Sequence, residues 1–252
     1  MVSDQKLHEL IIWSADMPSV EELLAMLDKM PKLKCVKIDR LFVEHHGAGI
    51  IRRLTEDRGI KVFYDAKYVE IPSKLEELAQ RGCSYEPWML NCMAGSVSTG
   101  FLEHPKKDKI DGLKRFADVC HSAEVRPCAV TVLTSKSDDI TKGEFNGRGR
   151  GQQVLYYAEK LLECGFTDVV CSPNEAQLIR SEERFDGLDL NTPGVRLAGS
   201  SSDDQANPTT PYEAFQAGVD RIVSGRDLTK SEDPADNLDQ MVAEAAQAME
   251  AV

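Results

Sequence analysis

The stretch "IKVFYDAKYVEIPSKLEELAQRG", Ile60 to Gly82, contains one complete structural unit with its punctuation. It opens on an apolar run, Ile60 to Tyr64, of the kind that forms a strand buried on both faces. Three charges, Asp65, Lys67 and Glu70, stand where that run leaves the core. Pro72 then starts the amphipathic pattern "PSKLEELAQRG", with Gly82 as the expected helix stop.

The same unit recurs along the chain. "ELIIWSA" (9–15) precedes a helix whose Ser19 and Glu22 fit a capping box, and "LKCVKI" (33–38) precedes a helical segment around 47–57. "PWMLNC" (87–92) is followed by "IDGLKRFADVCHSA" (110–123), and "RPCAVTVLT" (126–134) leads through a Gly-rich loop into "QQVLYYAEKLLECG". "TDVVCS" (167–172), "LNTPGVR" (190–196) and "DRIVSG" (220–225) each precede a helical pattern, the last at roughly 233–251. Eight strand-then-helix units with no linker between them predict an α/β fold, a (β/α)8 TIM barrel forming a single domain over residues 1–252. A doubly wound sheet is the rival architecture.

Composition narrows the partners. Lys plus Arg total 30 against 42 for Asp plus Glu, a net charge of −12, which argues against binding nucleic acid or an anionic membrane. No stretch reaches the roughly 20 apolar residues of a membrane span, and "MVSDQKLHEL" lacks a signal-peptide pattern, so a soluble, cytoplasmic protein is expected. The 7 cysteines include no C-x-x-C pair and mostly sit in apolar runs, which predicts reduced, buried thiols. "FNGRGRG" (145–151) reads as a solvated loop.

A barrel presents its chemistry at the C-terminal ends of its strands. Those ends carry Asp16, Lys37, Asp39, Asp65, Lys67, Thr134, Ser172, Arg196 and Arg226. Asp65 and Lys67 are two apart, which places both on one face of a strand, with Lys37 on the neighbouring strand within reach. In such an array Lys67 can protonate a developing carbanion while Asp65 repels an anionic group on the substrate. The structural alternative is a buried ion-pair network that closes the barrel. No metal site is expected, because Lys is a poor ligand and no His stands at a neighbouring strand end. Gly225 and Arg226, with the polar loop 192–211, fit a phosphate site, and Ser200 to Asp204 fit a lid.

Taken in order, these segments resemble the orotidine 5'-monophosphate decarboxylase family. Its signature Asp-x-Lys-x-x-Asp-Ile-Pro matches "DAKYVEIP" (65–72), except that Glu70 stands where Asp is usual. "LKCVKIDRLF", "AVTVLTS", "DVVCSPNEA", "TPGVRLAG" and "GVDRIVSGRDLT" continue the likeness over nearly the whole chain. The resemblance implies decarboxylation of orotidine 5'-monophosphate to uridine 5'-monophosphate in pyrimidine biosynthesis, without cofactor or metal, by a homodimer with shared active sites. It assigns Asp16 and Lys37 to the ribose hydroxyls, Asp65 to the substrate carboxylate, and Lys67 to protonation of C6. Thr134 would bond the pyrimidine edge, Gln205 would bridge base and phosphate, Gly225 and Arg226 would hold the phosphate, and Glu70 would reach into the partner's site. Departures gather near the site: Ser73-Lys74 replaces Asn-Thr, Met93 replaces His and Leu197 replaces Pro. Two other readings share the barrel. One is a Mg2+-dependent decarboxylase or aldolase acting on a sugar phosphate, with Glu70 as a ligand; the other is a nucleotide-binding homologue with weakened catalysis.

Overall fold

The computed structural model describes residues 3–96, 111–199 and 209–251. Its strands are β1 (Ile11–Ser14), β2 (Cys35–Asp39), β3 (Lys61–Tyr68), β4 (Met89–Met93), β5 (Arg126–Val130), β6 (Asp168–Val170), β7 (Asp189–Pro193) and β8 (Arg221–Ser224). All pair in parallel in chain order, and β8 pairs back onto β1 with Ile12 opposite Val223, so the barrel is closed and has no exposed edge. The expected (β/α)8 barrel is the observed fold.

Alternation along each strand sorts the side chains. Ile12, Cys35, Phe63, Met89, Cys128, Val130, Val170 and Val223 pack together inside the barrel. Their sequence neighbours, such as Trp13, Val36, Ile38, Val62, Leu90 and Val169, face the surrounding helices in a second apolar cluster. Both faces are therefore dry, which is why the strands read as unbroken apolar runs.

The N-terminal end of the barrel is closed by charge. Arg126 and Arg221 both pair with Asp168 and with Asp189 at 2.6 to 3.1 Å. Lys61, Arg126 and Arg221 lie 5.5, 6.0 and 5.2 Å from the centre of the Trp88 ring. This ionic layer is at the opposite end from the cleft described below, so the interior is a packed core and not a pore.

The helices depart from the expected pattern in several places. The helix Asp4–His8 precedes β1, and two helices, Arg40–His46 and Gly49–Arg58, stand where one was expected around 47–57. The first of them starts because the Asp39 side chain accepts the Phe42 N–H at 2.7 Å, an N-cap that the strand pattern concealed. Gly82 is not a stop, since its helix runs Pro72–Cys83. A Cβ at Gly82 would lie 2.7 Å from Leu90 Cδ2, so glycine is needed there for close approach of helix to strand. Ser19 caps its helix by accepting the Glu22 N–H at 3.2 Å, but the Glu22 carboxylate takes the Ser19 hydroxyl at 3.4 Å, leaving half a capping box. All seven cysteines are buried, and none is in a disulfide. Among the described residues no helix is long and apolar enough to cross a membrane.

Candidate active site

A cleft of about 330 Å3 opens at the C-terminal ends of the strands. Phe63, Val130, Val170 and Val223 form its apolar floor. Asp16, Lys37, Asp65, Lys67, Thr134, Gly225 and Arg226 all line it, so seven of the nine residues that the resemblance assigns to the site converge, and Arg196 lines it too. Glu70 does not: it is exposed beyond the end of β3, and its carboxylate accepts the adjacent Ile71 N–H at 3.2 Å. Gln205, and Ser200 to Asp204, lie outside the described residues.

The charged centre is assembled by register. The β2–β3 ladder sets Lys37 opposite Phe63 and Asp39 opposite Asp65, so the Lys37 ammonium reaches forward to Asp65 Oδ2 at 2.8 Å. Lys67 Nζ meets the same oxygen at 2.5 Å. Asp65 Oδ1 accepts from Asn91 Nδ2 at 2.7 Å. The Asp65 residue is only 6% exposed, and burial opposes its ionisation, but the Lys37 and Lys67 ammonium groups outweigh that and hold its pKa down at about 2. Asp65 is thus a fixed negative charge at neutral pH. Lys67, with a side chain 44% exposed, turns its tip toward the cleft; Lys37, at 13%, is held inside.

Lys67 reaches this position through an irregular backbone. Its φ of 46° is left-handed, and the β3–β4 ladder shifts register between Tyr64 and Tyr68. The expectation that spacing alone brings Asp65 and Lys67 together is therefore incomplete: the strand kinks to do it. Asn91 accepts the Lys67 N–H at 2.7 Å through Oδ1. Asn91 is not among the residues expected from sequence; its only signal there is a carboxamide within the apolar run "PWMLNC".

Three further supports surround the cleft, and of their residues Arg196 was expected at a strand end. Ser14 Oγ donates to Asp16 Oδ2 at 3.2 Å, and a Cβ placed on Gly225 would lie 3.6 Å from the Ser14 Cβ. Arg196 pairs with Asp227 at 3.1 Å while Leu197 N donates to the same carboxylate at 2.8 Å, tying the turn after β7 to the short helix Arg226–Thr229. Arg150, expected in a solvated loop, is 20% exposed; it donates to the carbonyls of Thr134 and Lys136 at 3.3 and 2.9 Å and pairs with Glu175 at 2.7 Å. The partly buried Arg150 guanidinium thus holds the loop that carries Thr134, because β5 ends at Val130 and its backbone bonds to β6 stop at Thr131.

Beyond the geometry, the model of the orotidine 5'-phosphate decarboxylase / HUMPS family matches residues 9–241. The chain belongs to that family. Within it, the chain is 33% identical over 241 residues to a Pseudomonas aeruginosa protein named orotidine 5'-phosphate decarboxylase, covering 93% of this chain and 96% of that one. A Staphylococcus epidermidis protein of the same name is 33% identical over 233 residues, covering 92% and 96%. Among solved structures, orotidine 5'-phosphate decarboxylase from Lactobacillus acidophilus superposes with a TM-score of 0.76 at 26% identity, covering 93% of this chain and 98% of that one. The family match spans the barrel from β1 to the final helix Pro234–Glu250, so every strand end that borders the cleft lies inside it.

Proposed function

We propose that this protein converts orotidine 5'-monophosphate to uridine 5'-monophosphate and carbon dioxide, using its own side chains as the catalytic groups. The observation that carries this reading is the Lys37–Asp65–Lys67 array, in which one ionised carboxylate oxygen is shared by two ammonium groups at the mouth of an apolar-floored cleft of about 330 Å3. The permanent charge of Asp65 lies against the substrate carboxylate and destabilises it, while the Lys67 ammonium favours the carbanion that replaces it. As the bond from C6 to the carboxylate breaks, its electron pair stays on C6 and takes a proton from Lys67 Nζ. Solvent then reprotonates the lysine. Lys37 and Asp16 hold the ribose hydroxyls, Thr134 meets the pyrimidine edge, and the Gly225 backbone with the Arg226 guanidinium holds the phosphate. Gln205 belongs to the same reading as the bridge between base and phosphate.

The reading includes a homodimer. Glu70 lies away from its own cleft and is flanked by Val69 and Ile71, 60% and 62% exposed, with Leu41 at 69% exposure on the same end of the barrel. Exposed branched residues in that number favour cover by a second copy, which would let Glu70 serve the neighbouring site. A cytoplasmic setting is supported by the burial of all seven cysteines as thiols, outside any disulfide.

Loss of orotate absorbance with purified protein tests the function, and turnover unaffected by EDTA is expected. No turnover at enzyme concentrations high enough to detect slow catalysis overturns it; turnover only with added Mg2+ and a sugar phosphate supports the rival lyase. Sedimentation equilibrium tests the dimer: Ile71→Asp is expected to shift the protein toward monomer and to lower activity with it.

A further inference from the structure

We infer that Asn91 is a positioning residue that braces Asp65 and Lys67 together from the neighbouring strand and sets the rate of proton delivery without touching the substrate. The inference rests on the reading of Lys67 as the proton donor. Asn91 occupies the middle of β4, is fully buried, and does not line the cleft. A carboxamide inside a barrel is costly unless both of its ends are bonded. Here both ends bond to β3, Nδ2 to Asp65 Oδ1 and Oδ1 to the Lys67 N–H, each at 2.7 Å. The orientation of the amide is fixed by chemistry, since an ionised carboxylate only accepts and a backbone N–H only donates.

The two bonds act on two different weaknesses. Lys67 holds a left-handed φ of 46°, a conformation that a residue with a side chain adopts at a cost of roughly 1 kcal/mol or more and keeps only when its surroundings impose it. Between Tyr64 and Tyr68 the regular ladder to β4 is interrupted, and the Asn91 side chain supplies an acceptor for the Lys67 N–H there. The kink folds the lysine back so that Nζ reaches Asp65 Oδ2. At the other end, the Asn91 amide occupies Asp65 Oδ1 while both lysines share Oδ2, which fixes the plane of the carboxylate. Without the carboxamide, Asp65 can rotate and Lys67 can relax toward extended backbone, moving the ammonium away from the reacting carbon.

The test compares wild type, N91A and N91D. N91A is expected to lower kcat roughly 100-fold, the scale of an ångström-level misplacement, with KM changed less than about threefold because no substrate contact is lost. N91D keeps the acceptor for the Lys67 N–H but sets a second carboxylate against Asp65. It is expected to be as poor as N91A at pH 8 and to recover as pH falls, when the introduced carboxyl is protonated and can again donate to Asp65. A purely structural role would give no such recovery. A crystal structure of either folded variant provides a readout independent of turnover: Lys67 is expected to lose its left-handed φ or its contact with Asp65. Retention of both, or a kcat within threefold of wild type in N91A, overturns the inference. Should wild type fail to turn over orotidine 5'-monophosphate, the proposed function falls, and the variant structures still decide the role of Asn91.

Discussion

Asp65 illustrates how a single side chain can be destabilised by its position and stabilised by its neighbours. Burial raises the cost of its charge, while Lys37 and Lys67 lower the pKa from the ordinary 3.8 to about 2. Because the folded value is depressed, the contribution to stability is complete above about pH 4 and disappears as pH falls toward 2. The difference corresponds to roughly 2 kcal/mol. Urea denaturation of Asp65→Asn is therefore expected to show a flatter loss of stability than wild type between pH 5 and 2; parallel curves would contradict the assigned charge network. Lys67 contributes differently. Its side chain is 44% exposed and Lys37 still pairs with Asp65 when it is removed, so Lys67→Ala is expected to lower the Tm modestly and to reduce kcat by roughly a thousandfold, the scale of a lost general acid. Stopped-flow or steady-state assay of orotate loss measures it. The residue types and their spacing were legible in "DAKYVEIP", but the kink at Lys67 was not, because alternation assumes a regular strand and the left-handed turn depends on Asn91 from β4.

At the scale of elements, strands were easier to read than the segments between them. Parallel strands buried on both faces announce themselves by composition, and all eight stand within a few residues of their expected limits. The helix after β2 was misjudged because Asp39 ends the strand and caps the next helix at once. Gly82 was misread because a glycine that permits close packing has the same letter as one that ends a helix, and only Leu90 on β4 distinguishes them. The Arg150 segment was misread for a similar reason: "FNGRGRG" is polar and Gly-rich, yet its last arginine is drawn inward by two carbonyls and Glu175. Arg150→Ala is expected to loosen the loop bearing Thr134 and raise KM by roughly tenfold with a smaller effect on kcat. A kinetic comparison at constant pH measures this split, and an unchanged KM would show that the loop holds its place without the guanidinium.

Across the whole molecule the two ends of the barrel use charge for different purposes. At the cleft, charges are partly open to solvent and face a cavity; at the far end, Asp168 is fully buried between Arg126 and Arg221 and faces no cavity in common with the site. Burial pushes the Asp168 carboxyl up, opposed by the two arginines, so removing it leaves two cations without their shared partner. Asp168→Ala is expected to cost roughly 3 kcal/mol in stability while leaving kcat unchanged at a temperature where the variant remains folded. Thermal denaturation and activity measured on one sample separate the two effects.

The sequence by itself determined the class of the fold and the positions where chemistry stands, because a strand buried on both faces must be apolar and a charge is tolerated only where the strand leaves the core. It also marked the family through an ordered series of short segments. Only the tertiary structure decided which of those charges meet. Lys37, Asp65, Asn91 and Lys67 come from three strands, and their contacts depend on register, on a broken ladder and on one left-handed residue. Glu70 shows the same limit from the other side: three residues from Lys67 in sequence, it is outside its own cleft because the strand has ended before it. Neighbourhood across strands is a property of closure, which no local run of residues encodes.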